Sequence, residues 1–181
     1  MQVRFTQAQL TNLFKTSSDT FFQKETAHIL SGVAERSLCS RLAIYLEQLM
    51  PGFGIEGYYA DTEYNRKQDG QIKTILDDEM EVVVINCDLI IHSRGNEVPD
   101  NLIAVEMKKS SRPASEKLSD RKRLRALTKK NDVWSYDGKA QPEQVSGYVI
   151  GIYMELDLKN RKCIFEKYKG GDLINNWARN F

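Results

Sequence analysis

Residues 81–111, EVVVINCDLIIHSRGNEVPDNLIAVEMKKSS, constrain this chain more than any other stretch. Val82-Val83-Val84-Ile85 leads to Leu89-Ile90-Ile91, and Leu102-Ile103-Ala104-Val105 follows after the turn residues Gly95, Pro99 and Asp100. Length and β-branched content predict two strands joined by a polar turn. Acid interrupts both: Asp88 in the first, then Glu106 followed by Lys108 in the second. Strand side chains alternate faces, so Glu106 and Lys108 share one face and Met107 takes the other. Asp88 shares its face with Ile90 and His92. If the strands pair antiparallel through residues 93–101, Asp88 comes near Glu106.

Two carboxylates held together beside an ammonium make a poor core. They suit a hard cation such as Mg²⁺, which binds carboxylate oxygens and keeps several waters. The plainer alternative is a half-exposed hairpin whose charges face water, since a D…ExK pattern is short enough to arise by chance.

The surroundings of that pattern are more specific. Arg41-Leu42-Ala43-Ile44-Tyr45-Leu46 lies on a long helical stretch, and Glu63-Tyr64-Asn65-Arg66 follows it. Then come Asp88-Leu89-Ile90-Ile91-His92-Ser93-Arg94-Gly95, and Asn101-Leu102 through Glu106-Met107-Lys108-Lys109. Over roughly residues 25–155 this order resembles the PD-(D/E)xK nuclease superfamily, and within it small bacterial and phage proteins. Cys87 stands where the family has proline, a change that bears on local backbone shape more than on chemistry.

The resemblance implies a restriction-endonuclease-like core, of α/β (α+β) class, with a mixed central β-sheet flanked by helices. Residues 25–181 would form that domain and residues 1–24 an N-terminal helical extension. It also implies phosphodiester hydrolysis of nucleic acid, DNA foremost, in restriction, anti-phage defence or mobile-element biology. Asp88, Glu106 and the Met107 backbone carbonyl would hold Mg²⁺ or Mn²⁺. Lys108 would orient the attacking water or stabilise developing charge, and Glu35 would add a metal or water ligand. Glu63 enters as a secondary site residue because it matches the family's EYNR segment.

Charge distribution points the same way. Net charge is only +1, yet residues 108–130 hold ten basic side chains against two acids, Glu116 and Asp120. Such a local field beside a carboxylate pair suits phosphates, with Lys109, Arg112, Arg121 and Arg125 as the expected nucleic-acid contacts. A solvated helix face is the plainer reading of the same run. Three widely spaced cysteines without a CxxC fit neither a disulfide framework nor a zinc site, which points to a reducing cytoplasm. No apolar run approaches the ~18 residues of a membrane span.

For the rest of the chain, residues 5–24 read as a helix interrupted at Ser17-Ser18-Asp19, used for packing or as a homodimer contact. Residues 25–49 read as one helix, with Leu38, Leu42, Tyr45 and Leu46 on its apolar stripe and Pro51-Gly52 as its stop. On that wheel Glu35 lies about 20° from Leu42 and from His28 at ~100° per residue, so Glu35 and His28 belong to the stripe; a structural Glu35 satisfied by Arg41 or a backbone group is the plainer alternative. Residues 53–66 read as a strand and 67–79 as a loop. A helix over 116–130 has Leu118, Leu124 and Leu127 inward and Ser119 or Asp120 as cap. Trp134 and Tyr136 sit in a loop where they could stack bases. Strands over 144–156 and 162–168 pair, and residues 172–181 form a short helix anchored by Trp177. The sequence shows no specificity domain, which leaves room for a protein partner that supplies it. Two other classes stay open: a nucleic-acid-binding or assembly module without turnover, and a small protein-interaction module.

Overall fold

The side chain of Thr6 accepts a hydrogen bond from the Gln9 N–H at 3.2 Å and starts helix α1, Gln7–Leu30. The computed structural model describes residues 4–62, 74–76, 82–84, 87–129 and 146–181, with side chains for all but 74–76 and 82–84. The break expected at Ser17-Ser18-Asp19 does not occur. Ser18 and Thr20 donate their hydroxyls back to the carbonyls of Lys15 and Thr16, which satisfies them inside the helix. Meanwhile Leu10, Leu13, Phe14, Phe21 and Phe22 are buried along its length.

The chain breaks further on instead. Gly32, with φ +80°, takes a left-handed conformation that glycine adopts without steric cost. Helix α2, Glu35–Leu49, then begins afresh, so the single helix expected over residues 25–49 is in fact two elements. A short 3₁₀ turn, Met50–Phe53, with Pro51 in its first turn, ends α2.

Eight strands follow among the described residues: β1 (Tyr59–Thr62), β2 (Thr74–Leu76), β3 (Val82–Val84), β4 (Leu89–His92), β5 (Asn101–Lys109), β6 (Ile150–Asp157), β7 (Lys162–Lys169) and β8 (Asp172–Asn180). Six form one mixed sheet in the order β1-β4-β5-β6-β7-β8, in which only β5 and β6 run parallel. Between them lies helix α3, Ala114–Thr128, the crossover that a parallel pair requires. The protein is therefore a mixed α+β structure with helices on its sheet.

Helices α1 and α2 share a core with Leu89, Ile91, Ile103, Val105 and Met107 on one face of the sheet. On the other face Leu124 and Leu127 of α3 pack with Ile90, Ala104, Tyr153 and Tyr168. No helix among the described residues is long and apolar enough to cross a membrane.

Several expectations need correction. The strand expected across Asp88 is two elements in two sheets: β3, before it, pairs with β2, and β4, after it, joins the main sheet. The segment read as a loop over 67–79 contains β2, and the strand read over 53–66 shortens to β1, with residues 63–66 outside the described residues. Leu118 is exposed, and α3 starts after Pro113, so neither Ser119 nor Asp120 caps it. The C-terminal segment is strand β8, not a helix. Trp177 lies opposite Phe165 and stacks on it at 4.9 Å, a cross-strand aromatic pair that outweighs local preference.

Gly151 shows how tightly α3 lies on the sheet. A Cβ there would stand 2.9 Å from Thr128 Cγ2 and 3.3 Å from Leu124 Cδ2. Gly151→Val is expected to destabilise the fold by about 1–3 kcal/mol through overpacking, read as a lower urea midpoint at unchanged slope.

Candidate metal and nucleic-acid site

Strands β4 and β5 pair antiparallel with Leu89 opposite Val105, which puts Asp88 and Glu106 next in register on the α3 face. The expected approach of the two acids is therefore present. Strand β5 continues to Lys109, and no strand among the described residues extends β4 alongside residues 106–109. Backbone donors on that bare edge still need partners. Two carboxylates supply them: Asp88 Oδ2 accepts from Met107 N–H at 2.8 Å, and Glu35 Oε1 accepts from Lys109 N–H at 2.9 Å. In a strand the N–H and C=O of one residue point to the same side. The Met107 carbonyl thus faces this edge between the two acids.

Glu35 reaches the edge from the first turn of α2, where the positive end of the helix dipole favours a carboxylate. Since α1 ends before it, Glu35 and His28 do not share one helix stripe. Arg41, on the same helix, does not reach Glu35 and pairs with Glu25 at 2.7 Å. Lys109 turns its ammonium to the Gly32 and Val33 carbonyls at 2.8 and 2.6 Å, closing the loop between α1 and α2 over the end of β5.

On the α3 face the charges are interleaved. Glu106 is fully buried, and its Oε1 accepts from Arg123 Nη1 at 2.6 Å. The same nitrogen lies 3.2 Å from Asp120 Oδ1, and Asp120 Oδ2 lies 3.2 Å from the Lys108 ammonium. Two buried atoms in this cluster, Glu106 Oε2 and Arg123 Nε, have no hydrogen-bond partner among the described residues, and Asp120 Oδ2 has only its ion pair with Lys108. The half-exposed hairpin is excluded for Glu106, which no water reaches. Among the described residues, no three Asp, Glu, His or Cys side chains close around one point. Arg123 and Lys108 stand between the acids.

Burial, then repulsion from Asp88, holds the Glu106 carboxyl well above the usual carboxylate range, and Arg123 opposes this. Burial also raises Asp120, against Lys108 and Arg123. For Lys108, burial favours the neutral amine, but Asp88 and Asp120 outweigh it and keep the pKa above the ordinary lysine value. Lys108 is a fixed cation here, unsuited to act as a base.

Asp120 and Arg123 were not singled out as site residues from sequence. The readable clue is that Asp120 precedes Leu124 and Leu127 by one and two helical turns, so it lies on the inward stripe. Arg123 follows it in Asp120-Arg121-Lys122-Arg123-Leu124, which fits a D-x-x-(K/R)-L pattern of the resembled proteins, so the sequence marked the pair without giving either a role.

The expected nucleic-acid contacts all have partners within the chain. Arg112 pairs with Glu116 at 2.9 Å and lies 3.8 Å from Glu35, with about half its side chain exposed. Arg121 grips Glu166 with two bonds of 2.9 Å and covers the Tyr153 ring at 4.1 Å. Arg125 donates to the Gly171 carbonyl at 2.9 Å. Arg121→Ala is therefore expected to lower stability by about 1–3 kcal/mol, since it breaks charge-assisted bonds in a half-buried site; chemical denaturation measures this. Unchanged stability would mean the guanidinium is held only loosely.

His92 and Arg94, from the DLIIHSRG segment, tie the end of β4 to β1: Asp61 lies 2.8 Å from His92 Nε2 and takes two bonds from Arg94. Glu63, Trp134 and Tyr136 lie outside the described residues. No protein-family model, curated protein or solved structure matches this chain.

Proposed function

We propose that this protein is a metal-dependent nuclease with a restriction-endonuclease-like core, acting on phosphodiester bonds of nucleic acid, DNA foremost. The observation that supports it most is Glu106: wholly buried, facing Asp88, with one carboxylate oxygen that has no hydrogen-bond partner among the described residues. A buried acid beside another acid raises the energy of the fold; Arg123 answers one Glu106 oxygen and leaves the other to a further cation.

The donor set fits Mg²⁺ or Mn²⁺. Asp88, Glu106 and the Met107 carbonyl offer the hard oxygens such ions bind, with Glu35 at the next backbone position. When bound, such an ion supplies a water of lowered pKa and a counter-charge for the scissile phosphate. Lys108, kept cationic by Asp88 and Asp120, stabilises charge developing on the phosphate. Asp88 and Glu35, each anchored by a backbone N–H of β5, are held in place without rotamer search. Arg112 and Lys109, near the same edge, give phosphate contacts that position the strand without reading sequence. A homodimer or a partner protein would supply specificity.

A second reading is favoured by the ion pairs themselves. Every charge in the cluster except the second Glu106 oxygen lies near an opposite one, as a binding or assembly module without turnover would also have it. Divalent metal separates the two. Binding to the folded state alone raises the melting temperature by mass action. Millimolar Mn²⁺ is expected to raise it for the parent and not for Glu106→Ala. No shift in either favours the module.

A further inference from the structure

Arg123 occupies the position from which it competes with any metal for Glu106. Its Nη1 is 2.6 Å from Glu106 Oε1 and bridges to Asp120 Oδ1 at 3.2 Å, while its Nε, buried, has no hydrogen-bond partner among the described residues. A guanidinium carries five donors in a fixed fork and stays charged in any protein. Here only one nitrogen of that fork is used on acids, and it is shared between two of them. The arrangement is that of a cation held between two seats. Asp120, three residues earlier on α3, can take the whole fork if Glu106 releases it. Asp120 is also the partner of the Lys108 ammonium, so a guanidinium moving fully onto Asp120 frees Lys108.

We infer that Arg123 is an internal counter-ion that closes the site in the metal-free chain: a divalent cation on Glu106 displaces it onto Asp120, and that displacement turns Lys108 out toward the phosphate. This rests on the metal-dependent reading above and adds to it a residue that sets metal affinity without touching substrate. Arg123 is thus a positioning residue. Its exchange would keep a buried carboxylate neutralised in both states, where an empty pair of acids would repel. It also makes metal binding weaker than the acids alone would give.

The test is calorimetric titration of Mn²⁺ into the full chain, as parent, Arg123→Gln, Arg123→Lys and Glu106→Gln. Removing the competing charge is expected to tighten Mn²⁺ binding about tenfold or more in Arg123→Gln. Arg123→Lys, with a compact ammonium that cannot fork between two acids, should fall between it and the parent. In the parent, Mg²⁺ should also change the side-chain NMR resonances of Arg123, a readout that needs no variant if Arg123→Gln fails to fold. Equal or weaker Mn²⁺ binding by folded Arg123→Gln, or Arg123 resonances unmoved by saturating Mg²⁺, overturns the exchange while Glu106-dependent uptake by the parent leaves the metal site standing. Absence of Glu106-dependent uptake in parent and Arg123 variants alike overturns both.

Discussion

Glu106→Gln is expected to abolish cleavage, by at least ~10³-fold, while folding as stably as the parent in EDTA at pH 8. The loss follows from removing one of two metal-facing carboxylates, since metal stabilisation of transition-state charge amounts to several kcal/mol and each ~1.4 kcal/mol is a factor of ten. The stability half follows from the raised Glu106 pKa. In the unfolded chain this carboxyl loses its proton in the ordinary range near pH 4; in the folded chain it holds it to higher pH. Between the two, the native state binds more protons than the unfolded one, so stability falls as pH rises. Glutamine cannot ionise, and its amide oxygen still accepts from Arg123. The variant's melting temperature should therefore equal or exceed the parent's at pH 8 and vary less across that window. Parent-like cutting would place the chemistry elsewhere, and severe destabilisation would show that the Glu106–Arg123 ion pair holds the fold together.

Lys108→Met is the second large effect, and it separates chemistry from binding. Methionine keeps most of the apolar stem but removes the charge beside the acids. Cleavage should fall at least ~100-fold if the ammonium acts on charge formed in the transition state. Mn²⁺ should bind at least as well as to the parent, because a neighbouring cation is gone. DNA affinity should drop only modestly, since Lys109 and Arg112 remain on the same edge. Calorimetry and a plasmid-nicking time course on one preparation decide it. Normal cutting would take Lys108 out of the mechanism. The structure adds one condition absent from the sequence: Lys108 rests on Asp120 at 3.2 Å, so its loss also leaves Asp120 with Arg123 alone.

What the sequence made legible was periodic. Alternation in residues 81–111 placed Asp88, Glu106 and Lys108 on one face, and the antiparallel register bears that geometry out. The apolar spacing of Leu38, Leu42 and Leu46 marked the buried face of α2. The pairing of residues 162–168 with the strand before them also followed from the turn between them.

The failures were at breaks and ends, where a few residues decide. Gly32 ends α1 by backbone conformation, which no hydrophobic pattern reports, and so Glu35 reached the site from a helix start that looked like a helix interior. The tail became β8 because Trp177 found Phe165, a contact between residues twelve apart. The basic run of α3 was opaque for a similar reason. Lys117, Arg121 and Arg123 answer acids on β6, β7 and β5, namely Glu155, Glu166 and Glu106. Their density in the sequence marks acids across the sheet as much as a surface for phosphates.

The most direct test of the central claim is incubation of the purified chain with supercoiled, linear and single-stranded DNA and with RNA, each with Mn²⁺ and with EDTA, beside Glu106→Gln. The account predicts cutting of DNA in Mn²⁺, none in EDTA, and none by the variant in either. Cutting that persists in EDTA or in Glu106→Gln, or no cutting of any substrate in Mn²⁺, would contradict it.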